Sequence, residues 1–157
     1  MIRAIFLDVD GTLISFSTHE IPASALRALA QAHERGVRLF IATGRAANDL
    51  GPLEGIPYDG VVSLNGARCV ANDGRVVSLH PIPRADFERA LALSEEQDFA
   101  MGLELEEGVF VNRVTPDVER VAHMVAHPVP EQTDLRELFG RVECCQLCFY
   151  FDAETQR

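Results

Sequence analysis

The sequence predicts an α/β fold, with a parallel sheet in the first half of the chain and a smaller α/β layer in the second. Three observations predict it. Apolar runs at 2–7, 37–42 and 60–64 each end at a polar turn that carries glycine, the pattern of strands buried in a parallel sheet. A stretch with helical spacing separates the first two runs, which makes a strand–helix–strand unit with a right-handed crossover. After His80-Pro81-Ile82-Pro83, a stiff connector, helix-spaced and alternating segments take turns.

Taken in order, residues 2–7 read as the first strand, followed by Asp8-Val9-Asp10-Gly11-Thr12-Leu13. In open α/β sheets ligands bind beyond the carboxyl ends of the strands, so Asp8 and Asp10 are delivered there. Aspartates at i and i+2 of an extended strand share a side, roughly 6.5–7 Å apart at Cα. Such a pair fits an acidic turn, a calcium loop or a phosphoryl-transfer site. The EF-hand loop follows a helix and has its glycine sixth; here Gly11 is fourth and follows a strand-like run.

Residues 14–21 read as a polar, irregular loop. Pro22 suits a helix start, Ser24 is a candidate cap, and Leu26, Leu29 and Ala30 share a face before Gly36 supplies a left-handed stop. The second strand, 37–42, runs into Thr43-Gly44-Arg45. A hydroxyl, a flexible backbone and a guanidinium at a strand end make a phosphate grip. A short helix is expected from about Arg45, broken by Gly51, Pro52, Gly55 and Pro57. The third strand, 60–64, leads into Asn65-Gly66, and 67–78 reads as a hairpin about Asn72-Asp73-Gly74.

Beyond the connector, 84–97 reads as a helix, 99–106 as a half-buried strand, and Val109-Phe110-Val111 as another. Thr115-Pro116-Asp117 opens a helix whose Val118, Val121, Ala122 and Val125 share a face, and Pro128 and Pro130 end it. Residues 134–139 read as a short helix and 142–151 as a long strand.

The chain has 157 residues, 47% of them hydrophobic and 24% charged, which suits a globular protein with a real core. The net charge of −10 with no basic cluster argues against nucleic acid. There is no lysine; all 14 fixed positive charges are arginine. Asp8 interrupts the apolar N-terminal run too early for a secretory signal, and no stretch is long enough to span a membrane. A cytoplasmic protein with reduced cysteines is expected.

Asp-x-Asp-Gly-Thr near the N-terminus, then Ile-Ala-Thr-Gly-Arg, then Asn-Gly-Ala resembles the haloacid dehalogenase (HAD) superfamily, in particular its Cof-type phosphatases with a type IIB cap. The resemblance covers essentially the whole chain. It implies a partial parallel, Rossmann-like core over 1–82 and an inserted α/β cap over 83–157. It also implies a Mg²⁺-dependent phosphatase of small phosphorylated metabolites, with sugar phosphates the best guess.

Residue types support such chemistry. A phosphate ester is anionic and resists attack, so a site must neutralise charge and hold a nucleophile in line. A carboxylate beside Mg²⁺ can be that nucleophile, and a second carboxyl can serve as acid and then base. By resemblance Asp8 is the nucleophile and Asp10 the acid/base. Asp8 and the main-chain carbonyl of Asp10 hold Mg²⁺, and Thr43 and Gly44 bind the phosphoryl group. Arg45 either touches substrate or forms a salt bridge at a helix start. Asn65 and Gly66 line the site or merely turn the chain.

Two features of the pattern are missing: a later lysine, for which an arginine could substitute, and a Gly-Asp-type acidic motif, which nothing after Ser78 matches. The expectation is therefore the N-terminal part of a longer phosphatase. A phosphomutase, or a non-catalytic phospho-ligand binder or partner-dependent fragment, is the alternative.

Two metal-like signals are read as ordinary structure. On one strand Cys145 and Cys148 face opposite ways, and Cys144 and Cys148 lie roughly 13 Å apart, so these are buried thiols. His123 and His127 have zinc-compatible helical spacing but no evident third ligand, and read as surface histidines.

Overall fold

A computed structural model of the chain describes residues 2–15, 17–18, 20–53, 55–125 and 127–151. The chain divides into two compact units, Met1–His80 and Pro81–Arg157.

The first unit holds a five-stranded sheet in the order β1-β2-β3-β4-β5. β1 (Ala4–Leu7), β2 (Arg38–Ala42) and β3 (Gly60–Ser63) are parallel, while β4 (Arg68–Ala71) and β5 (Val76–Leu79) form an antiparallel hairpin at one side. The ladders place Leu7 opposite Ile41 and Ala42 opposite Val62. Asp8 is therefore level with Ala42 and Val62, one residue before Thr43 and Ser63, at the same end of the sheet. Helix α1 (Ala23–Glu34) packs Leu29 into a core with Leu39, Ile41 and Val61. Pro22 occupies its N-cap with no side-chain cap, so Ser24 does not cap it, and Gly36 ends it at φ 82°. Gly60 is obligatory: a Cβ there would meet the Val70 carbonyl oxygen at 2.8 Å.

Two expectations fail in this unit. Ile14 is buried and bridges Asp10 instead of lying in a polar loop; Phe16 and His19 of that loop lie outside the described residues. The short helix from Arg45 does not form. The backbone bends and turns through 45–50, and only Gly51–Leu53 makes a 3₁₀ turn. A competing side-chain bond explains it: the Arg45 guanidinium donates to the Asp49 carbonyl oxygen, which favours a closed turn.

The second unit is a four-stranded sheet in the order β8-β7-β6-β9. Its strands are β6 (Ala100–Leu105), β7 (Gly108–Val111), β8 (Glu131–Gln132) and β9 (Gln146–Tyr150). Helices α2 (Arg84–Glu96) and α4 (Leu135–Phe139) bring Phe87, Leu91 and Leu135 against Met101, Leu103 and Leu105. Helix α3 (Pro116–Met124) sets Val118 against Ala100, Val111 and Tyr150. β6 is thus buried on both faces, not half-buried as its alternation suggests. Thr115 caps α3, which ends at Val125 before either proline. β9 starts later than expected, so Cys144 and Cys145 precede the strand, and the two-residue β8 carries no sequence signal. Among the described residues no helix is long and apolar enough to cross a membrane.

Candidate active site

Strand pleating builds the first part of the site. Val9 is 1% exposed and turned into the core, so its neighbours Asp8 and Asp10 face outward. Gly11 at φ 81° then reverses the chain, and Leu13 and Ile14 return their amides to the carbonyls of Asp8 and Val9. That turn brings Thr12 back over the strand end. Its hydroxyl donates to Asp8 Oδ2 at 2.7 Å. Sequence reasoning missed Thr12, although a hydroxyl four residues after the first aspartate is a readable signal once Gly11 is taken as a tight turn.

The second part comes from β2 and β3. Thr43 is buried, its amide donates to the Val62 carbonyl at 2.9 Å, and its Oγ1 accepts the Arg45 amide at 3.1 Å. A hydroxyl that accepts in this way still has its own proton to donate. The 3₁₀ turn Leu64–Gly66 folds onto this segment. The Leu64 amide donates to the Arg45 carbonyl at 3.1 Å and the Asn65 amide to the Thr43 carbonyl at 3.2 Å. Asn65 adopts a left-handed conformation at φ 54°, which asparagine tolerates better than most residues. Its side-chain amide lies against Gly44, where a Cβ would meet Oδ1 at 3.2 Å and Nδ2 at 3.3 Å. Thr43, Gly44 and Asn65 therefore form one surface, and Gly66, at φ 96°, completes the turn that carries Asn65.

Arg45 links the two parts. Nε donates to Asp10 Oδ2 at 2.9 Å and Nη2 to Asp10 Oδ1 at 2.8 Å, a bidentate pair. Nη1 donates to the Asp49 carbonyl oxygen at 3.2 Å and lies 3.7 Å from Asp49 Oδ2. The bonds to Asp10 push the guanidinium pKa up despite partial burial. The salt bridge foreseen for Arg45 forms with Asp10 and Asp49, away from any helix start.

The two metal-like signals of the sequence lie in the second unit. Cys144 is buried and Cys69, Cys145 and Cys148 are half-buried; none of the four is in a disulfide. Burial, then the Glu104 carboxylate, pushes Cys148 up to about 12, so it is an unreactive thiol. His123 is exposed, as is His127. Among the described residues no three His, Cys, Asp or Glu side chains are grouped to hold a metal.

A family model described as haloacid dehalogenase-like hydrolase matches residues 5–156. The chain belongs to that family. BT1666 from Bacteroides thetaiotaomicron, described among phosphatases of the HAD superfamily, is 54% identical with a TM-score of 0.93, over 99% of this chain and 58% of its own. BT4131, a HAD subclass IIB sugar phosphatase, is 29% identical with a TM-score of 0.81, over 98% of this chain and 60% of its own. Putative phosphatase YkrA of Bacillus subtilis (strain 168) is 30% identical over 95 residues, 60% of this chain and 36% of its own. The chain thus spans less than two thirds of these relatives' length.

Proposed function

We propose that the protein is a phosphatase that hydrolyses small phosphorylated metabolites, sugar phosphates foremost, through an aspartyl-phosphate on Asp8. One observation carries the reading: Asp8 and Asp10 project together from the end of β1, with Asp8 oriented by Thr12. Asp8 attacks phosphorus and the ester oxygen leaves, taking a proton from Asp10. Asp10 then accepts a proton from water as it hydrolyses the acyl phosphate, which returns Asp8 and inorganic phosphate. The Arg45 fork fixes the direction of the Asp10 carboxyl group. Thr43 donates its hydroxyl to the phosphoryl group, and Gly44 lets the backbone approach beside the Asn65 amide. Residues 83–157 are read as a type IIB cap, an assignment supported by likeness to BT4131.

Mg²⁺ suits the donors present. The Asp8 carboxylate and the Asp10 main-chain carbonyl are hard oxygens, and a Mg²⁺ site of this kind is typically completed by water and substrate phosphate. When bound, Mg²⁺ neutralises charge on the phosphoryl oxygens.

The test is release of inorganic phosphate, with Mg²⁺, from a panel of sugar phosphates by the protein at its native length in the cell, beside Asp8→Asn. Turnover that the variant lacks supports the reading. Turnover that survives in Asp8→Asn refutes the nucleophile. Phosphoryl transfer between substrate hydroxyls without phosphate release indicates a mutase. Binding without turnover indicates a phospho-ligand binder, a reading favoured by the absence of lysine and the commitment of Arg45 to Asp10.

A further inference from the structure

Among the described residues, three of the four carboxylate oxygens of Asp8 and Asp10 accept side-chain hydrogen bonds: one from Thr12 and two from Arg45. Both oxygens of Asp10 are held by one planar fork, and the same guanidinium is anchored on its other side by Asp49. The side chain of Arg45 is only 23% exposed. A rigid, doubly anchored fork of this kind fixes a carboxylate's direction as well as its charge.

We propose that Arg45 sets the divalent-cation affinity of this strand end by pairing with the Asp10 carboxylate and keeping it from acting as a ligand. Arg45 is then a positioning residue that acts through Asp10. The inference rests on the reading of Asp8 and Asp10 as the cation site.

The argument is one of charge. A cation at Asp8 meets one unpaired carboxylate and one neutralised pair. Without the guanidinium it meets two carboxylates. A unit charge roughly 7 Å from a divalent ion, in a near-aqueous dielectric, is worth on the order of tenfold in affinity. Removing the Asp10 charge instead leaves an uncompensated guanidinium and weakens binding. Removing both charges restores the starting balance. In the intact protein the cation is therefore held weakly until a phosphoryl oxygen adds a further ligand.

The experiment is a Mn²⁺ titration followed by electron paramagnetic resonance of the free ion, on the 157-residue chain with no substrate present. Asp8→Asn/Arg45→Met defines the background from other acidic residues. Arg45→Met is expected to bind Mn²⁺ roughly tenfold more tightly than the unaltered chain. Asp10→Asn should bind more weakly, and Arg45→Met/Asp10→Asn should return close to the unaltered chain. Arg45→Lys, a point charge without the fork, should fall between the unaltered chain and Arg45→Met.

The inference is overturned if Arg45→Met binds no more tightly, including the case in which neither chain binds. It is equally overturned if the double variant stays as weak as Asp10→Asn, because Asp10 would then be a ligand itself. Should Arg45→Met fail to fold, the comparison of Asp10→Asn with the unaltered chain decides: unchanged or tighter binding refutes the proposal. Phosphate release is scored separately. The Mn²⁺ pattern without turnover removes the phosphatase reading alone, and turnover without the pattern removes this inference alone.

Discussion

In Asp8→Asn the Thr12 hydroxyl keeps an acceptor, because the asparagine side-chain oxygen can occupy the position of Oδ2, 2.7 Å away. What is lost is the charge on that bond. Charge-assisted bonds are about twice as strong as neutral ones, and this one is exposed, so the loss is a few tenths of a kcal/mol. Removing a like charge beside Asp10 offsets part of it. Stability should change by less than about 0.5 kcal/mol in urea denaturation. Turnover by the protein at its native length should nevertheless fall by on the order of 10³ or more, as expected when a nucleophile is removed. The assay pairs the denaturation midpoint with phosphate release. A variant that loses activity together with more than about 1 kcal/mol would show that Asp8 supports the fold and would remove the argument for its chemical role.

Asp10→Asn is expected to cost about 1 kcal/mol in the same denaturation assay, because it breaks a half-exposed bidentate pair. Its loss of turnover should be smaller for aryl than for alkyl phosphates, whose leaving groups need more protonation; equal losses count against an acid role. Ile41→Ala, at a fully buried position in β2, should cost about 2–5 kcal/mol. Cys148 is raised from 9.0 to about 12 in the folded state, so its contribution to stability is complete below pH 9 and is lost as pH rises toward 12. Denaturation midpoints across that range should fall less steeply in Cys148→Ala. The 157-residue polypeptide should self-associate through β1, an edge strand that leaves Phe6 62% exposed. Light scattering from a monomer at all concentrations would refute this, and Phe6→Lys should reduce the association.

Where the local signal and the tertiary environment agree, the sequence was readable. β1–β3 are apolar runs and are paired in parallel, and the Asp-Gly hairpin closes at Gly74 with φ 83°. Thr115 at the start of α3 also behaves as its type suggests. Reading failed where long-range contacts decide. The helix expected from Arg45 does not form, and the Arg45 guanidinium is instead paired with Asp10, 35 residues earlier in the chain. Ile14 is drawn into the core by the turn at Gly11. The alternation of β6 suggests one wet face because the helix covering that face, α3, comes later in the chain. At the candidate site Asp8, Asp10, Thr43, Gly44 and Asn65 could be named from their motifs. The Thr12 bond, the packing of Asn65 on Gly44 and the partner of Arg45 needed coordinates.

The order of strands in the first sheet bears on how the chain assembles in time. β3, β4 and β5 are joined by connections of a few residues, whereas β1 must wait for a partner across the whole of α1. Closing a short loop costs less entropy and takes place sooner than closing a long one. The hairpin beside β3 is therefore the natural seed, β2 zips onto it, and β1 docks last although it leaves the ribosome first. The paired aspartates then reach Arg45 only after the turn that carries Arg45 has a sheet to stand on. A nascent chain with a slowed hairpin, such as one with Gly74→Val, would stall before its acidic strand is captured, with Phe6 open to chaperones throughout.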